Sequence, residues 1–386
     1  MINHNKKNKD MKYYPVAEPN ISSLEKKYVN DCLNSGWISS RGKYLRGMYG
    51  WGGYIEKFEK AYAKFNKTKY AVTTFNGTVS LHLILLALGI KKNDEVIVPS
   101  FTYVASANAV LYVGAKPIFV DCDIETYNIN VDKIEEKITP KTKAIIVVHL
   151  YGNPCEMDKI LKIARKYNLY VIEDAAEAHG ATYKNKIVGT FGIANAFSFF
   201  GNKTITTGEG GMVTTNSRML YNKINILKNQ GQHPKDKRYF HRELGYNYRM
   251  TNLQAAIGYA QLKRLNKFVG KKRLINKWYK KYLAPLIEKN IIKFQKETPN
   301  TNPSYWMNAV TVKNINVNLL YKKLKNYAVQ TRPFFAPMNK IPYFKERKKY
   351  INSEYIYKEG IILPSGVNLI EKDIKIISRR ILSIIK

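Results

Sequence analysis

The sequence has few cysteines, few acidic residues and no long apolar run. Its three cysteines, Cys32, Cys122 and Cys155, are scattered and lack the spacing of metal ligands, so we expect neither a disulfide framework nor a metal site. No run approaches the roughly 20 apolar residues that cross a bilayer, and the polar, lysine-rich stretch from Met1 to Lys12 lacks the apolar segment of a secretion signal. These absences predict a cytoplasmic protein that does not associate with membranes.

Acidic residues number 29 against 64 lysines and arginines, which gives a formal charge of +35. Such an excess often indicates nucleic-acid binding. Here the lysines are spread along the whole chain among asparagine, isoleucine and tyrosine, as a compositional bias would spread them, and no zinc finger, basic zipper or ribonucleoprotein motif occurs. We therefore expect no specific nucleic-acid partner, although the positive field would attract a small anionic substrate.

Seven short apolar runs alternate with helical patterns between about residue 70 and residue 215. Runs without polar alternation are typical of strands buried on both faces, so the sequence predicts an α/β fold with a mostly parallel sheet. The expected strands are Ala71–Phe75, Glu95–Pro99, Pro117–Val120, Ala144–His149, Leu169–Glu173, Ala194–Phe199 and Gly211–Thr215. The expected helices are Ile21–Asn34, Ile55–Phe65, Thr78–Leu88, Val104–Val113, Val131–Ile138 and Met157–Tyr167, and a less regular link runs from Ala175 to Gly192.

Beyond Thr215 the pattern becomes mainly helical and then mixed, which predicts a small C-terminal α+β domain. The expected helices Met219–Leu227 and Thr251–Leu265 complete the large domain, and a link from Asn266 to Gly270 leads into the small one. The small domain is expected to contain helix Lys271–Leu286, strand Tyr305–Val312, helix Val317–Asn326, an extended segment at Thr331–Pro333 and helix Glu371–Ile385. The expected division is a flexible tail over residues 1–20, a large domain over 21–265 and a small domain over 266–386. A long loop rich in glycine and aromatic residues is expected from Arg41 to Tyr54.

Lys203 is the candidate catalytic residue. It follows the apolar run that ends at Phe200 and precedes a glycine-closed turn and the next strand. Strand ends are where α/β folds hold their ligands, and a desolvated lysine there can attack a carbonyl to form a Schiff base. The alternative interpretation is a surface lysine between two strands.

Asp174 directly follows the expected strand Leu169–Glu173, one crossover element before Lys203, so the two residues can lie on neighbouring strands. An acid in this position can pair with a protonated pyridine nitrogen, or it can simply cap a helix. Gly77 and Thr78 stand where the first strand turns into a helix, a geometry suited to a phosphate or to an ordinary helix cap. Tyr103 can stack on a planar ring or belong to the core, and Ser198 is a candidate second phosphate contact.

These residues lie in an ordered series of motifs that closely resembles the DegT/DnrJ/EryC1/StrS aminotransferases. The resemblance extends from about Ala17 to the C-terminus. Its motifs are Ser35-Gly36-Trp37-Ile38-Ser39, Asn76-Gly77-Thr78, Val98-Pro99-Ser100-Phe101-Thr102-Tyr103, His149-Leu150-Tyr151-Gly152, Glu173-Asp174-Ala175-Ala176-Glu177-Ala178-His179-Gly180, the Lys203 segment and Gly245-Tyr246-Asn247-Tyr248-Arg249-Met250. It implies the fold-type I scaffold of enzymes that use pyridoxal 5′-phosphate, with a seven-stranded large domain and a small C-terminal domain.

The resemblance also implies a role for each matching residue. Lys203 would form the Schiff base with the cofactor, Asp174 would hold its pyridine nitrogen, Tyr103 would stack on its ring and Glu177 would lie near its ring hydroxyl. Gly77, Thr78 and Ser198 would bind the phosphate, while Asn247 would reach the phosphate of the neighbouring subunit's cofactor in a homodimer with shared active sites. Trp37, Ser39 and Arg332 are expected to contact the substrate.

Within the family, the segment from Phe197 to Gly211 is most similar to the enzymes that transfer an amino group from glutamate to C4 of a GDP-4-keto-6-deoxy sugar. A UDP- or dTDP-linked sugar as acceptor and a non-catalytic regulator on the same fold are the alternatives. Two departures from the family bear on the substrate: the loop from Arg41 to Tyr54 is long, and Ala336 and Asn339 stand where the family often has histidine.

Overall fold

A computed structural model describes residues 11–40, 53–237, 239–344 and 346–385. The helices are α1 (Ser23–Asn34), α2 (Gly53–Phe65), α3 (Gly77–Ala87), α4 (Ala105–Tyr112), α5 (Met157–Lys166), α6 (Arg218–Leu227), α7 (Asn252–Leu262), α8 (Leu265–Tyr282), α9 (Ala284–Glu288), α10 (Val317–Asn326), α11 (Ile351–Glu359) and α12 (Glu371–Ile384). The strands are β1 (Tyr70–Thr74), β2 (Glu95–Pro99), β3 (Lys116–Val120), β4 (Thr142–Val148), β5 (Tyr170–Asp174), β6 (Thr182–Tyr183), β7 (Lys186–Ile187), β8 (Ala194–Ser198), β9 (Gly211–Thr215), β10 (Ile292–Phe294), β11 (Thr301–Asn302), β12 (Asn308–Val312), β13 (Arg332–Pro333) and β14 (Gly360–Leu363).

The central sheet has seven strands in the order β1-β9-β8-β5-β4-β2-β3. Only β9 runs against its neighbours; the ladders of β2 with β3, β2 with β4, β4 with β5 and β5 with β8 are parallel. The carboxyl ends of the other six strands therefore meet at one edge, where an α/β sheet binds its ligands. The predicted mostly parallel α/β architecture is confirmed, and each of the seven predicted strands matches an observed strand within about two residues at either end.

Apolar residues on both faces hold this sheet between helices. Strands β2, β8 and β9 are buried along their whole length, as strands covered on both faces of a sheet are. Helix α3 is apolar around most of its circumference and buries Leu81, Leu83, Ile84 and Leu85 under the sheet. The burial of these elements fixes the sheet edge on which the candidate site stands.

The C-terminal part contains an antiparallel sheet in the order β10-β12-β14-β13 with its own apolar core. Helix α8 joins the two cores, because Phe268 and Val269 pack with the large-domain residues while Ile275 and Tyr279 pack with the small-domain residues. The predicted link at Asn266 to Gly270 is wrong, since these residues lie within α8. The predicted domain limits themselves stay predictions.

Three further segments differ in detail from the sequence expectation. The strand predicted at Tyr305–Val312 begins only at Asn308. The helix predicted at Val131–Ile138 is instead two 3₁₀ turns, Val131–Lys133 and Glu135–Lys137. The Asn130 side chain accepts a hydrogen bond from the Asp132 amide and forms a local turn, and the segment ends before Pro140, too short for a stable helix. The link from Ala175 to Gly192 carries the β6–β7 hairpin, which pairs with β11.

The N-terminal residues that the structure describes pack on the C-terminal part of the chain. Tyr14 and Val16 are buried, and the Tyr14 main chain exchanges hydrogen bonds with Ala328 and Gln330. Residues 41–52, which make up most of the predicted glycine-aromatic loop, lie outside the described residues. Of the helices that are described, none is long and apolar enough to cross a membrane.

Candidate active site

Lys203 lies in a turn five residues beyond the end of β8, with its side chain directed into the protein. The turn is closed by a hydrogen bond from the Lys203 amide to the Phe200 carbonyl, and the side chain is only 12% exposed. Its Nζ atom is 3.6 Å from Glu177 Oε1. Burial lowers the pKa of Lys203, and the nearby carboxylates of Glu177 and Asp174 oppose that shift. A buried amine of this kind has the reactivity that Schiff-base chemistry requires.

Asp174 and Glu177 stand beside Lys203 at the end of β5. Asp174 Oδ2 accepts a hydrogen bond of 2.7 Å from Ser106 Oγ in the first turn of α4, and burial raises the pKa of its carboxyl group. Glu177 Oε2 accepts a 2.7 Å bond from the Tyr151 amide, and burial raises the pKa of Glu177 to about 7. The two acids are therefore fixed by hydrogen bonds and surrounded by a low dielectric, where their charges act strongly.

The N-terminus of α3 faces the same space. Asn76 caps the helix by accepting a 3.0 Å bond from the Val79 amide, and helix geometry leaves the amides of Gly77 and Thr78 without intrahelical partners. A Cβ atom at Gly77 would stand 3.0 Å from the Ser198 Cβ, so the absent side chain lets the helix end approach β8. Free amides at a helix N-terminus beside a serine hydroxyl suit an anion such as a phosphate.

These groups line one cavity of about 390 Å³. Seven of the residues singled out from the sequence are in its wall: Gly77, Thr78, Tyr103, Asp174, Glu177, Ser198 and Lys203. Arg332, from β13, lines it as well. Tyr103 is 56% exposed, and its ring centre lies 5.6 Å from that of Phe335, which also lines the cavity.

Three other candidates lie apart from this cavity in the described chain. Asn247 is exposed and pairs through its main chain with Asn229. The carbonyl groups of Trp37 and Ser39 accept hydrogen bonds from Asn252 at the start of α7. None of these three residues is among the described residues that line the cavity.

The cavity also contains residues that the sequence reasoning missed. The Lys203 Nζ atom lies 3.8 Å from the centre of the Trp306 ring, and Trp306 is 4% exposed. Trp306, Met307, Phe335 and Ile362 come from the C-terminal part, and the sequence carries no signal that these segments fold back over the sheet edge. Ala336 and Asn339, where the family often has histidine, do not line the described cavity wall; Asn339 instead donates to Lys348 O and Glu354 Oε1.

Comparisons with known proteins identify relatives along nearly the whole chain. The sequence profile of the DegT/DnrJ/EryC1/StrS aminotransferase family matches residues 19–382. The GDP-perosamine synthase of Escherichia coli O157:H7 is 48% identical over 361 residues, which cover 93% of this chain and 95% of that protein.

Solved structures resemble the chain over nearly its whole length. The aminotransferase from Psychrobacter cryohalolentis has a TM-score of 0.88 at 31% identity and covers 97% of this chain and 99% of its own. A mutant GDP-4-keto-6-deoxymannose-3-dehydratase with bound GDP-perosamine has a TM-score of 0.86 at 27% identity, with 95% of this chain and 100% of that one covered. Both the sheet with the candidate site and the C-terminal part therefore have counterparts in these proteins.

Proposed function

The chain belongs to the DegT/DnrJ/EryC1/StrS aminotransferase family, and from this premise we propose that it transfers an amino group from glutamate to C4 of GDP-4-keto-6-deoxymannose, giving GDP-perosamine. The observation that carries the proposal is the buried Lys203 amine, which shares one cavity with Asp174, Glu177 and the free helix end at Gly77. The name and 48% identity of the Escherichia coli relative support this substrate.

The residues of the cavity fit pyridoxal 5′-phosphate as the cofactor. Lys203 would bind its aldehyde carbon, and Asp174, held by Ser106, would keep its pyridine nitrogen protonated. The amides of Gly77 and Thr78 with the Ser198 hydroxyl would bind its phosphate, and Tyr103 would cover its ring. When bound, this cofactor supplies an electron sink and carries the amino group between donor and acceptor.

The chemistry left to the protein is proton transfer and orientation. The Lys203 amine, when free, would take the proton from the donor's α-carbon and return one to the acceptor's C4. The buried Asp174 carboxylate would stabilise positive charge on the ring through a fixed electrostatic contact. Arg332, which lines the cavity, is the residue that we propose for contact with the anionic nucleotide sugar.

The presence of a lysine favours amino transfer over dehydration. The family also contains dehydratases with histidine at the position of Lys203, and one of the similar structures is a GDP-4-keto-6-deoxymannose-3-dehydratase. An imidazole cannot form the Schiff base that amino transfer requires, whereas the Lys203 amine can. The residue at this position therefore supports a transaminase.

We also propose a homodimer with shared active sites. Asn247 lies exposed and apart from its own cavity, which fits a role at the cofactor phosphate of the partner subunit. Mixing the Lys203→Ala and Asn247→Ala proteins, after reversible dissociation, tests this role. Hybrid dimers would contain one intact site and regain activity; a mixture as inactive as its parents would contradict shared sites.

The function is tested with purified protein, pyridoxal 5′-phosphate, glutamate and a panel of GDP-, dTDP- and UDP-linked 4-keto-6-deoxy sugars. We expect release of 2-oxoglutarate and a mass change of the GDP sugar that corresponds to replacement of its keto oxygen by an amine. The Lys203→Ala variant should lose the activity. If a dTDP- or UDP-linked sugar is preferred, that sugar is the substrate instead of the GDP sugar. If none of the sugars gains an amine, the proposed function is wrong.

A further inference from the structure

Trp306 is held rigidly beside Lys203 by contacts at both of its ends. Its indole Nε1–H donates a 2.8 Å hydrogen bond to the carbonyl oxygen of Asn202, the residue that precedes Lys203. Its own carbonyl oxygen accepts a 2.9 Å bond from Lys272 Nζ. The ring also lies nearly parallel to that of Tyr151, with an angle of 26° between their planes.

This arrangement presents the face of the indole, rather than its edge, to the lysine nitrogen. The Nζ atom of Lys203 is 3.8 Å from the ring centre, while Glu177 Oε1 lies 3.6 Å from the same nitrogen. A cation is attracted to the face of an aromatic ring, most strongly where both are desolvated, and tryptophan is the best of the aromatic residues for this contact. Trp306 and Glu177 together thus form a seat for a protonated amine.

We infer that Trp306 is a positioning residue, whose ring face and the Glu177 carboxylate hold the free Lys203 amine whenever that amine carries a proton. The inference rests on the proposed function for the part of the cycle in which the amine is free. In that part, Lys203 must keep the proton that it has taken and stay near the reacting carbon. A site that stabilises the protonated form of the Lys203 amine serves both needs.

The hydrogen bond to Asn202 distinguishes this contact from ordinary core packing. A tryptophan that only filled the core would be satisfied by its Nε1 hydrogen bond and its aromatic neighbours, and its face could be covered by any apolar side chain. Here the hydrogen bond to Asn202 ties the indole to the backbone of the lysine turn itself. The distance between ring and amine is therefore set by the same turn that carries Lys203.

Other ionisable groups also act on the Lys203 amine. Asp174 and Glu177 favour its charged form, and His179 behind the turn has a pKa lowered to about 4 by burial, so that it is neutral near pH 7. Glu209 and Arg332 line the cavity, while Lys272 and Glu18 line a small cleft on the other side of Lys203. None of these groups changes when Trp306 alone is replaced, so a matched series at this position isolates the ring.

The experiment measures the protonation of Lys203 in the full-length chain after removal of the cofactor. Competitive acetylation with acetic anhydride across a pH series, read at Lys203 by mass spectrometry, gives the pH midpoint at which the amine becomes reactive. In Trp306→Leu we expect the midpoint to move down by about one pH unit, so that labelling near neutral pH rises about tenfold. Trp306→Phe, which keeps an aromatic face, should fall between Leu and the wild type.

Trp278 provides the matched control, because Lys271 lies 4.7 Å from its ring centre at a site where α8 packs on the small-domain core. Trp278→Leu should leave the Lys203 midpoint unchanged. Easier access of reagent would raise labelling at every pH and leave the midpoint in place, so a structural loosening is distinguishable from loss of the ring face. Equal midpoints in wild type, Trp306→Phe and Trp306→Leu would overturn the inference.

The result is independent of the assay for the proposed function. The labelling needs neither cofactor nor sugar. If the midpoint shifts in a protein that aminates no sugar, the contact between Trp306 and Lys203 is supported and only the proposed function is lost. If the protein is an active transaminase but Trp306→Leu has the same Lys203 midpoint as the wild type, the inference about Trp306 is wrong and the proposed function stands.

Discussion

At the scale of single residues, Lys272 is a cation buried with main-chain oxygens as its hydrogen-bond partners. Its Nζ donates to the carbonyl groups of Trp306 and Ser365, at 2.9 Å in each case, and the residue is 3% exposed. Burial lowers the pKa of Lys272 to about 7, well below the ordinary value of 10.5. Because the unfolded chain regains the ordinary value, this residue makes stability depend on pH.

We predict that the free energy of unfolding of the wild type, compared with that of Lys272→Met, increases with pH. Between about pH 7 and pH 10.5 the unfolded wild type binds more protons at this residue than the folded protein, so its stability rises with pH. The variant lacks this term, and the difference in unfolding free energy should therefore rise in favour of wild type by up to about 1.4 kcal/mol per pH unit. Urea unfolding at several pH values from about 7 to about 9.5 measures it.

Lys277, exposed on the same helix, supplies the comparison. Lys277→Met should show the pH dependence of the wild type. If Lys272→Met also followed the wild type at every pH, the buried lysine would have an ordinary pKa, contrary to what its surroundings imply.

What the sequence revealed about single residues depended on their place in the chain. Lys203, Asp174, Gly77 and Thr78 could be predicted because each follows a recognisable strand, and the ends of parallel strands meet at one edge. Trp306 could not, because it reaches Lys203 through packing of the C-terminal part, which no local pattern encodes. The cavity roles of the predicted residues stay proposals.

At the scale of elements, the turn Leu150–Gly152 packs directly against the segment from Ser304 to Trp306. Gly152 has φ +93°, and its carbonyl accepts a 2.9 Å bond from the Ser304 amide. A Cβ atom at Gly152 would lie 2.6 Å from Ser304 Oγ and 2.9 Å from the amide nitrogens of Tyr305 and Trp306. Glycine is therefore required here by both conformation and space.

We predict that Gly152→Ala lowers the free energy of unfolding by more than a left-handed backbone alone explains. Gly89→Ala is the control, because Gly89 has φ +75° and no atom lies within 4 Å of the place that an alanine Cβ would take, so it carries the conformational cost without the clash. That cost is about 1 kcal/mol, and Gly152→Ala should exceed it by a further amount of about 1–3 kcal/mol in urea unfolding. Equal losses in the two variants would mean that the Ser304 segment moves aside freely.

The elements themselves followed from the sequence wherever a pattern was long enough. Helix α10 has the predicted limits, and α12 ends within one residue of its prediction. The 3₁₀ turns after Asn130 were missed because a side-chain turn competes with a short helical pattern. Helix α8 was split wrongly at Gly270, where glycine weakens a helix without ending it, and burial on two cores keeps the helix continuous.

At the scale of the whole molecule, Asp121 joins the large and small predicted domains. It follows β3, and its carboxylate accepts hydrogen bonds from the amides of Asn352 and Ser353 and from the Ser353 hydroxyl, at the start of α11. A carboxylate at a helix N-terminus is favoured by the helix dipole as well as by these bonds. No local sequence pattern indicates this contact, because Asn352 and Ser353 lie 231 and 232 residues beyond Asp121 in the chain.

The last prediction is that Asp121→Asn loosens the small domain. An amide has a single acceptor oxygen, so one α11 amide would face an NH₂ group, and the loss of a charged hydrogen-bond partner should lower the free energy of unfolding by about 2–3 kcal/mol. Asp123→Asn is the control, because the Asp123 carboxylate caps only its own turn through Glu125 and Thr126. Hydrogen exchange of the α11 amides should quicken in Asp121→Asn and not in Asp123→Asn, since of these two carboxylates only that of Asp121 accepts hydrogen bonds from the helix. Unchanged exchange in α11 would show that its remaining contacts, including the hydrogen bonds of Ser353 with Ser100 and of Asn352 with the Cys122 carbonyl, hold the helix without Asp121.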